Sequence, residues 1–120
     1  MIEKINLAEK GERVADYWHP RILAELNDSY VKLAKLQGEF VWHHHAEEDE
    51  MFLVLRGRLL IRLRDQEIWL EPGEMVVIPK GVEHLPVAHE EVTVLLLEPK
   101  STRNTGNVEN ERTRAGLDWI

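Results

Sequence analysis

At 120 residues, with 22 acidic against 15 basic side chains and a formal charge of −7, the chain has the length of one domain. It is too acidic for a general nucleic-acid binder, which needs basic surface to neutralise phosphates. Its lack of cysteine removes disulfide scaffolds, thiolate zinc sites, iron–sulfur clusters and thiol nucleophiles together, so any metal must be held by nitrogen and oxygen.

The first ten residues are charged and carry no apolar central stretch, so no signal peptide is expected. No run approaches the ~20 apolar residues of a membrane helix. A cytoplasmic protein, with neither membrane nor nucleic acid as partner, is the expectation. Asn6 followed by Glu9 resembles a capping box. Leu7, Gly11, Val14 and Trp18 then fall on one side of a helix predicted over 7–18 and stopped by Pro20.

Beyond Arg21, short apolar segments alternate with turn signals. Strands are predicted over 22–26, 30–36, 40–45, 50–55, 59–63, 68–70, 75–78, 85–88 and 92–97. The turns fall at Asn27-Asp28-Ser29, Gly38, Gly57, Asp65-Gln66, Glu71-Pro72-Gly73 and Pro79-Lys80-Gly81. Many short strands at such spacing read as a sandwich or barrel. The whole of 1–120 is expected to be a single domain: a barrel core of about 22–97, an N-terminal helical arm over 1–20, and a polar C-terminal tail over 99–120 pinned by Leu117, Trp119 and Ile120. Alternation places Arg58, Arg62 and Arg64 outside the barrel and Leu59, Ile61, Val77 and Leu95 in its lining. Met51 and Met75 read as core filler, and Trp42 and Trp69 as packing or interface aromatics.

Six histidines remain. His43, His44 and His45 are consecutive. In an extended segment alternate side chains share a face, so His43 and His45 can point inward together while His44 points away. Glu50 opens the next strand and His84 follows a distant hairpin. Three imidazoles and a carboxylate from these places can converge on one divalent first-row metal and leave positions open on it. His19, His44 and His89 read as surface residues.

The motifs Gly38-EFVW-His43-His44-His45-AEED-Glu50-MFLVLR-Gly57 and Gly73-EMVVI-Pro79-Lys80-Gly81-VE-His84-LPV-Ala88 resemble the two cupin motifs. The first gap is one residue short, and Ala88 stands where the family has Asn. The chain is similar to the small single-domain cupins, including the mannose-6-phosphate isomerase-like group. The resemblance implies an all-β jelly-roll barrel in which His43, His45, Glu50 and His84 ligate one metal: Fe, Mn, Ni, Co, Zn or Cu. It also implies a homodimer. No arginine is expected to point inward, which counts against a sugar-phosphate substrate. The expected function is therefore a metal-binding cupin, either an enzyme of dioxygenase or isomerase type on a small organic ligand, with Glu50 as a base, or a non-catalytic small-molecule or metal-binding module.

Overall fold

The computed structural model describes residues 2–120; Met1, the first residue of the expected arm, lies outside them. A short helix precedes seven strands: α1 (Leu7–Glu12), β1 (Arg21–Leu26), β2 (Ser29–Glu39), β3 (Glu50–Arg56), β4 (Leu59–Leu63), β5 (Glu67–Leu70), β6 (Met75–Ile78) and β7 (His84–Pro99). The strands pair antiparallel in the order β1-β2-β7-β3-β6, with β4 joining β7 and β5 joining β4. This is the all-β jelly-roll barrel expected from the motifs. Among the described residues no helix is long and apolar enough to cross a membrane.

The helix is half the predicted length. Asn6 caps it as expected, its side chain accepting from the Glu9 backbone N–H at 3.0 Å. The Glu9 carboxylate turns instead to Arg13, one helical turn on. Beyond Arg13 the chain leaves the helix. Trp18 takes φ +58°, its backbone N–H donates to the Lys35 carbonyl and its indole N–H to the Gln37 carbonyl. Its ring stacks on Phe40 at 4.7 Å, a contact worth ~0.5–1.5 kcal/mol beyond the area buried. Tertiary packing of one aromatic thus overrides a helical periodicity that is marginal over so few residues.

The predicted strands over 85–88 and 92–97 are one strand, β7, which pairs with β4 through its first residues and with β2 and β3 along the rest. The predicted strand over 40–45 reduces to a single bridge, His43 to His84. Gly57 joins β3 to β4 at φ +85°, where a Cβ would sit 2.7 Å from the Glu91 carbonyl; only glycine fits there.

The main core fills the barrel with Ala34, Leu36, Phe52, Val54, Leu59, Ile61, Val94 and Leu96. A second cluster lies on the outside of β1 and β2. There Leu33 and Leu23 are covered by Val14 and flanked by Ile5, Leu7 and Ile120. The C-terminal segment is therefore pinned as expected: the Ile22 N–H donates to the Asp118 carbonyl and the Ile120 N–H to the Ile22 carbonyl, along the edge of β1. It also does more than lie on the surface, since Thr102 and Thr105 are buried.

The lining expectation holds for Leu59 and Ile61, both fully buried. It fails for Val77, half exposed, and for Leu95, which packs in the outer cluster. Their neighbours Ile78, Val94 and Leu96 face in. Met75 is likewise exposed rather than core filler. Both faces of these strands are apolar, so alternation carries no phase there. Arg58, Arg62 and Arg64 are outside as expected, and Arg64 stacks on Trp42 at 3.7 Å.

Candidate metal centre

Four buried side chains meet at one end of the barrel. His43 and His45 come from the irregular segment before β3, Glu50 from the first residue of β3 and His84 from the first residue of β7. Each offers one ligand atom, and these atoms lie within 4.8 Å of one another. The backbone of His43 exchanges both hydrogen bonds with that of His84, which locks the two imidazoles side by side, ring centroids 4.3 Å apart.

The hydrogen bonds around the rings decide what this cluster can hold. Nδ1 of His43 donates to the Val41 carbonyl at 2.8 Å, and Nδ1 of His84 to the Val82 carbonyl at 2.9 Å. Those bonds place the proton on Nδ1 and leave each Nε2 as a lone pair. Nε2 of His84 then faces Oε1 of Glu50 at 3.3 Å, and Nε2 of His45 faces the same oxygen at 3.4 Å. Both ring nitrogens of His45 are buried without a hydrogen-bond partner. Lone pairs turned on a carboxylate oxygen in a dry interior are unfavourable unless a cation lies among them. The donor set fits a first-row divalent ion, with backbone carbonyls fixing the tautomers.

Electrostatics agree. Burial, and then the neighbouring His84, pull the His43 imidazole down to about 4, so it is neutral and ready to donate its lone pair. Burial pushes the Glu50 carboxyl up, but the polar groups of Glu98, His45 and His84 around it outweigh burial and hold Glu50 well below the usual carboxylate range. Glu98 moves the other way, driven up by burial and by the charge on Glu50. The two neighbouring carboxyls are thus displaced in opposite directions, Glu50 toward the charged form and Glu98 toward the neutral one.

Glu98 and Lys32 are the residues that sequence reasoning missed. Met51 pairs with Leu97 across β3 and β7, and the same register carried one residue on sets Glu98 opposite Glu50. Like charges directly opposite are destabilising. Lys32, on the inner face of β2, meets Glu98 at 2.8 Å, and both side chains are 2% exposed. Lysine and glutamate are almost never this buried unless paired. The signal was faint: Lys32 alternates with Leu33, and with the outer face of β2 also buried, the alternation does not say which of the two points in.

A narrow apolar cavity lies against His43, Glu50 and Glu98, walled by Trp18, Leu36, Phe40, Phe52, Val94 and Leu96. Asn104 of the C-terminal segment closes one side. That segment is pressed hard onto the histidines. His44 exchanges two bonds with Asn107. Gly106, at φ +57°, lies so close that a Cβ would be 2.2 Å from the His44 carbonyl oxygen and 3.0 Å from the His43 ring. His44 is half-buried by this contact and His89 is exposed. Neither joins the cluster, and His19 pairs instead with Asp16.

Residues 29–98 match a family model described as a cupin domain. The uncharacterized protein YdbB of Bacillus subtilis (strain 168) is 40% identical over 79 residues, covering 65% of this chain and 70% of its own. A cupin-2 domain containing protein from Shewanella frigidimarina has a crystal structure that superposes with a TM-score of 0.79 at 52% identity, over 80% of this chain and 94% of that one. Protein NMB1881 from Neisseria meningitidis superposes at 0.75 with 29% identity, over 82% and 100% of the two chains.

Proposed function

This chain belongs to the cupin domain family, and from that premise we propose that it is a metal-dependent enzyme acting on a small, partly apolar organic ligand, with chemistry of dioxygenase or isomerase type. The observation that carries the reading is the convergence of three buried imidazoles and one carboxylate, two of them, His43 and Glu50, on the wall of an apolar cavity. His43, His45, Glu50 and His84 would hold one divalent ion of Fe, Mn, Ni, Co, Zn or Cu. When bound, such an ion supplies Lewis acidity or redox capacity at open coordination positions.

The chain's own groups do the rest. Trp18, Phe40, Phe52 and Leu96 accept the apolar body of the ligand and keep water out, which strengthens every charge interaction inside. Lys32 holds Glu98, whose carboxyl is pushed up by burial and by the charge on Glu50. Glu50 is the proposed base, and Glu98 gives it a neighbour able to take up or return a proton. A homodimer belongs to the same proposal. It is supported by the exposed apolar pair Met75 and Val77 beside Met51 and Leu53 on the outer face of β6 and β3.

Elemental analysis of protein prepared without a histidine tag tests the site. The expected result is about one first-row metal per chain, lost in His43→Ala and His84→Ala. Protein that stays metal-free after reloading with each candidate ion would sink the assignment. Oxygen uptake and product analysis with catechols, diketones and organic acids then test turnover. Tight ligand binding without turnover would make the chain a binding module.

A further inference from the structure

A second cavity, of about 370 Å³, lies between the inner edge of β1 and β2 and the C-terminal segment. It is distinct from the one beside His43 and Glu50, although Asn104 borders both. Its lining carries Lys32, Lys100, Arg103 and Arg114 and no carboxylate at all. In a chain of charge −7 with 15 cations, four of them around one hollow is a concentration against the overall balance. Lys32 and Lys100 have carboxylate partners behind them, Glu98 and Glu25. Arg103 is held only by the uncharged carbonyls of Gly106 and Val108, and Arg114 has no acidic partner among the described residues. The cavity is left with excess positive charge.

Two polar atoms of residues that line it are buried and unsatisfied. Nε of Arg114 and Oγ1 of Thr102, the latter on a residue only 8% exposed, have no hydrogen-bond partner. Orphaned buried donors are costly and rare in native structures. A guanidinium N–H and a hydroxyl are donors that a carboxylate or phosphate oxygen accepts from. Tyr30 and Trp119 stand edge to face at 5.8 Å in the same lining and give the hollow an aromatic side.

We propose that this cavity is a binding site for a small organic anion, a carboxylate or phosphate monoester with an apolar or aromatic body, gripped by Arg114, Arg103 and Thr102 and packed against Tyr30 and Trp119. The site stands apart from the metal centre. Besides Asn104, which borders both cavities, it is linked to that centre by the buried Lys32–Glu98 pair, with Lys32 on the wall of one cavity and Glu98 on the wall of the other.

Isothermal titration calorimetry on the full chain at low ionic strength tests it, with phenyl phosphate, benzoate and inorganic phosphate as probes. Chelator-treated protein is used so that no probe can report on a metal. The expected result is saturable one-site binding, and whichever organic probe saturates at the lower concentration identifies the anion. Arg114→Met weakens that binding by about tenfold or more, Arg114→Lys, which keeps the charge but not the fork of N–H donors, restores only part of it, and Thr102→Val weakens it measurably. Thr102→Val decides the matter should Arg114→Met not fold. Arg58→Met, which removes the same charge in the exposed turn between β3 and β4, leaves binding unchanged. Absence of saturation with all three probes overturns the proposal. So does wild-type affinity in both Arg114→Met and Thr102→Val, or an equal loss in Arg58→Met. Because the titration is run without metal, its failure leaves the metal reading intact, and loss of metal in His84→Ala says nothing against the anion site.

Discussion

The inner face of β2, β7 and β3 carries Lys32, Glu98 and Glu50 close together. The outer face of the same strands, continued onto β6, carries one row of Val31, Leu97, Met51 and Val77 and a second of Leu33, Leu95, Leu53 and Met75. A half-buried sheet ordinarily does the reverse, with apolar residues in and polar residues out. On the inside, the reversal costs desolvation and is compensated by pairing; it accompanies the buried histidines and a cavity. On the outside, it leaves apolar surface that the protein covers at one end, where the N-terminal arm and Ile120 pack near Leu33, and leaves open at the other, where Met75 is 52% and Val77 49% exposed. Buried charge and exposed hydrophobe are the two informative departures from the burial rule, and one sheet shows both.

The inner face breaks hardest at Lys32. Lys32→Met leaves Glu98 and Glu50 facing each other without a cation, and removing one partner of a buried pair costs ~3–5 kcal/mol. The urea midpoint should fall accordingly with an unchanged slope. In Lys32→Met/Glu98→Leu, where both partners become apolar, most of the loss should return. A single variant as stable as wild type would mean that the pair contributes nothing to the fold.

Acid acts on the same face more gently. In the unfolded chain His43 titrates near 6.5, in the folded one at about 4. Between these values the unfolded state binds the proton more readily, so this contribution is complete above about 6.5 and lost as pH falls toward 4. The gap from 6.5 to about 4 is worth roughly 3 kcal/mol at ~1.4 kcal/mol per pH unit. Glu98, with its carboxyl raised, opposes the trend: its contribution is present at low pH and lost as pH rises through its folded value. The clean measurement is therefore the difference between metal-free wild type and His43→Gln across that window. The wild type should lose more stability on acidification, and parallel curves would refute the assignment of His43 as a neutral buried base.

How far the sequence carried this comparison differs between its two faces. His43, His45, Glu50 and His84 were legible because their types and spacing are constrained by what a metal site needs, and the turns around them by glycine and proline. Lys32 and Glu98 were not. Each sits in a strand whose two faces are both largely apolar, and a lysine or glutamate in such a strand is ordinarily taken to face solvent. The same loss of phase misplaced Val77 and Leu95. The C-terminal segment was legible as an anchor through Ile120. Its approach to the histidines rests on Gly106 and Asn107, whose contacts are made only after the barrel has closed, and no local pattern announces them.

The outer face gives the smallest effect on the fold and the clearest on assembly. Met75 and Val77 are exposed on β6, in register with Leu53 and Met51, and no charged residue interrupts either row. A two-fold axis through such a patch would set it against itself, as in an isologous dimer. Met75→Glu/Val77→Glu replaces the open end of the patch with charge at positions already half in water. Its cost to the folded monomer should stay within ~0.5 kcal/mol per substitution, as for surface changes away from packed features. Its cost to association is larger, because two copies of the same charges would meet across the axis and desolvate each other. Sedimentation equilibrium should show a wild-type dimer dissociating to monomers in the variant, while the thermal midpoint barely moves. A wild type that sediments as a monomer at high concentration, or a variant that remains dimeric, would separate the two faces: the inner departure would then belong to chemistry and the outer one to no partner copy.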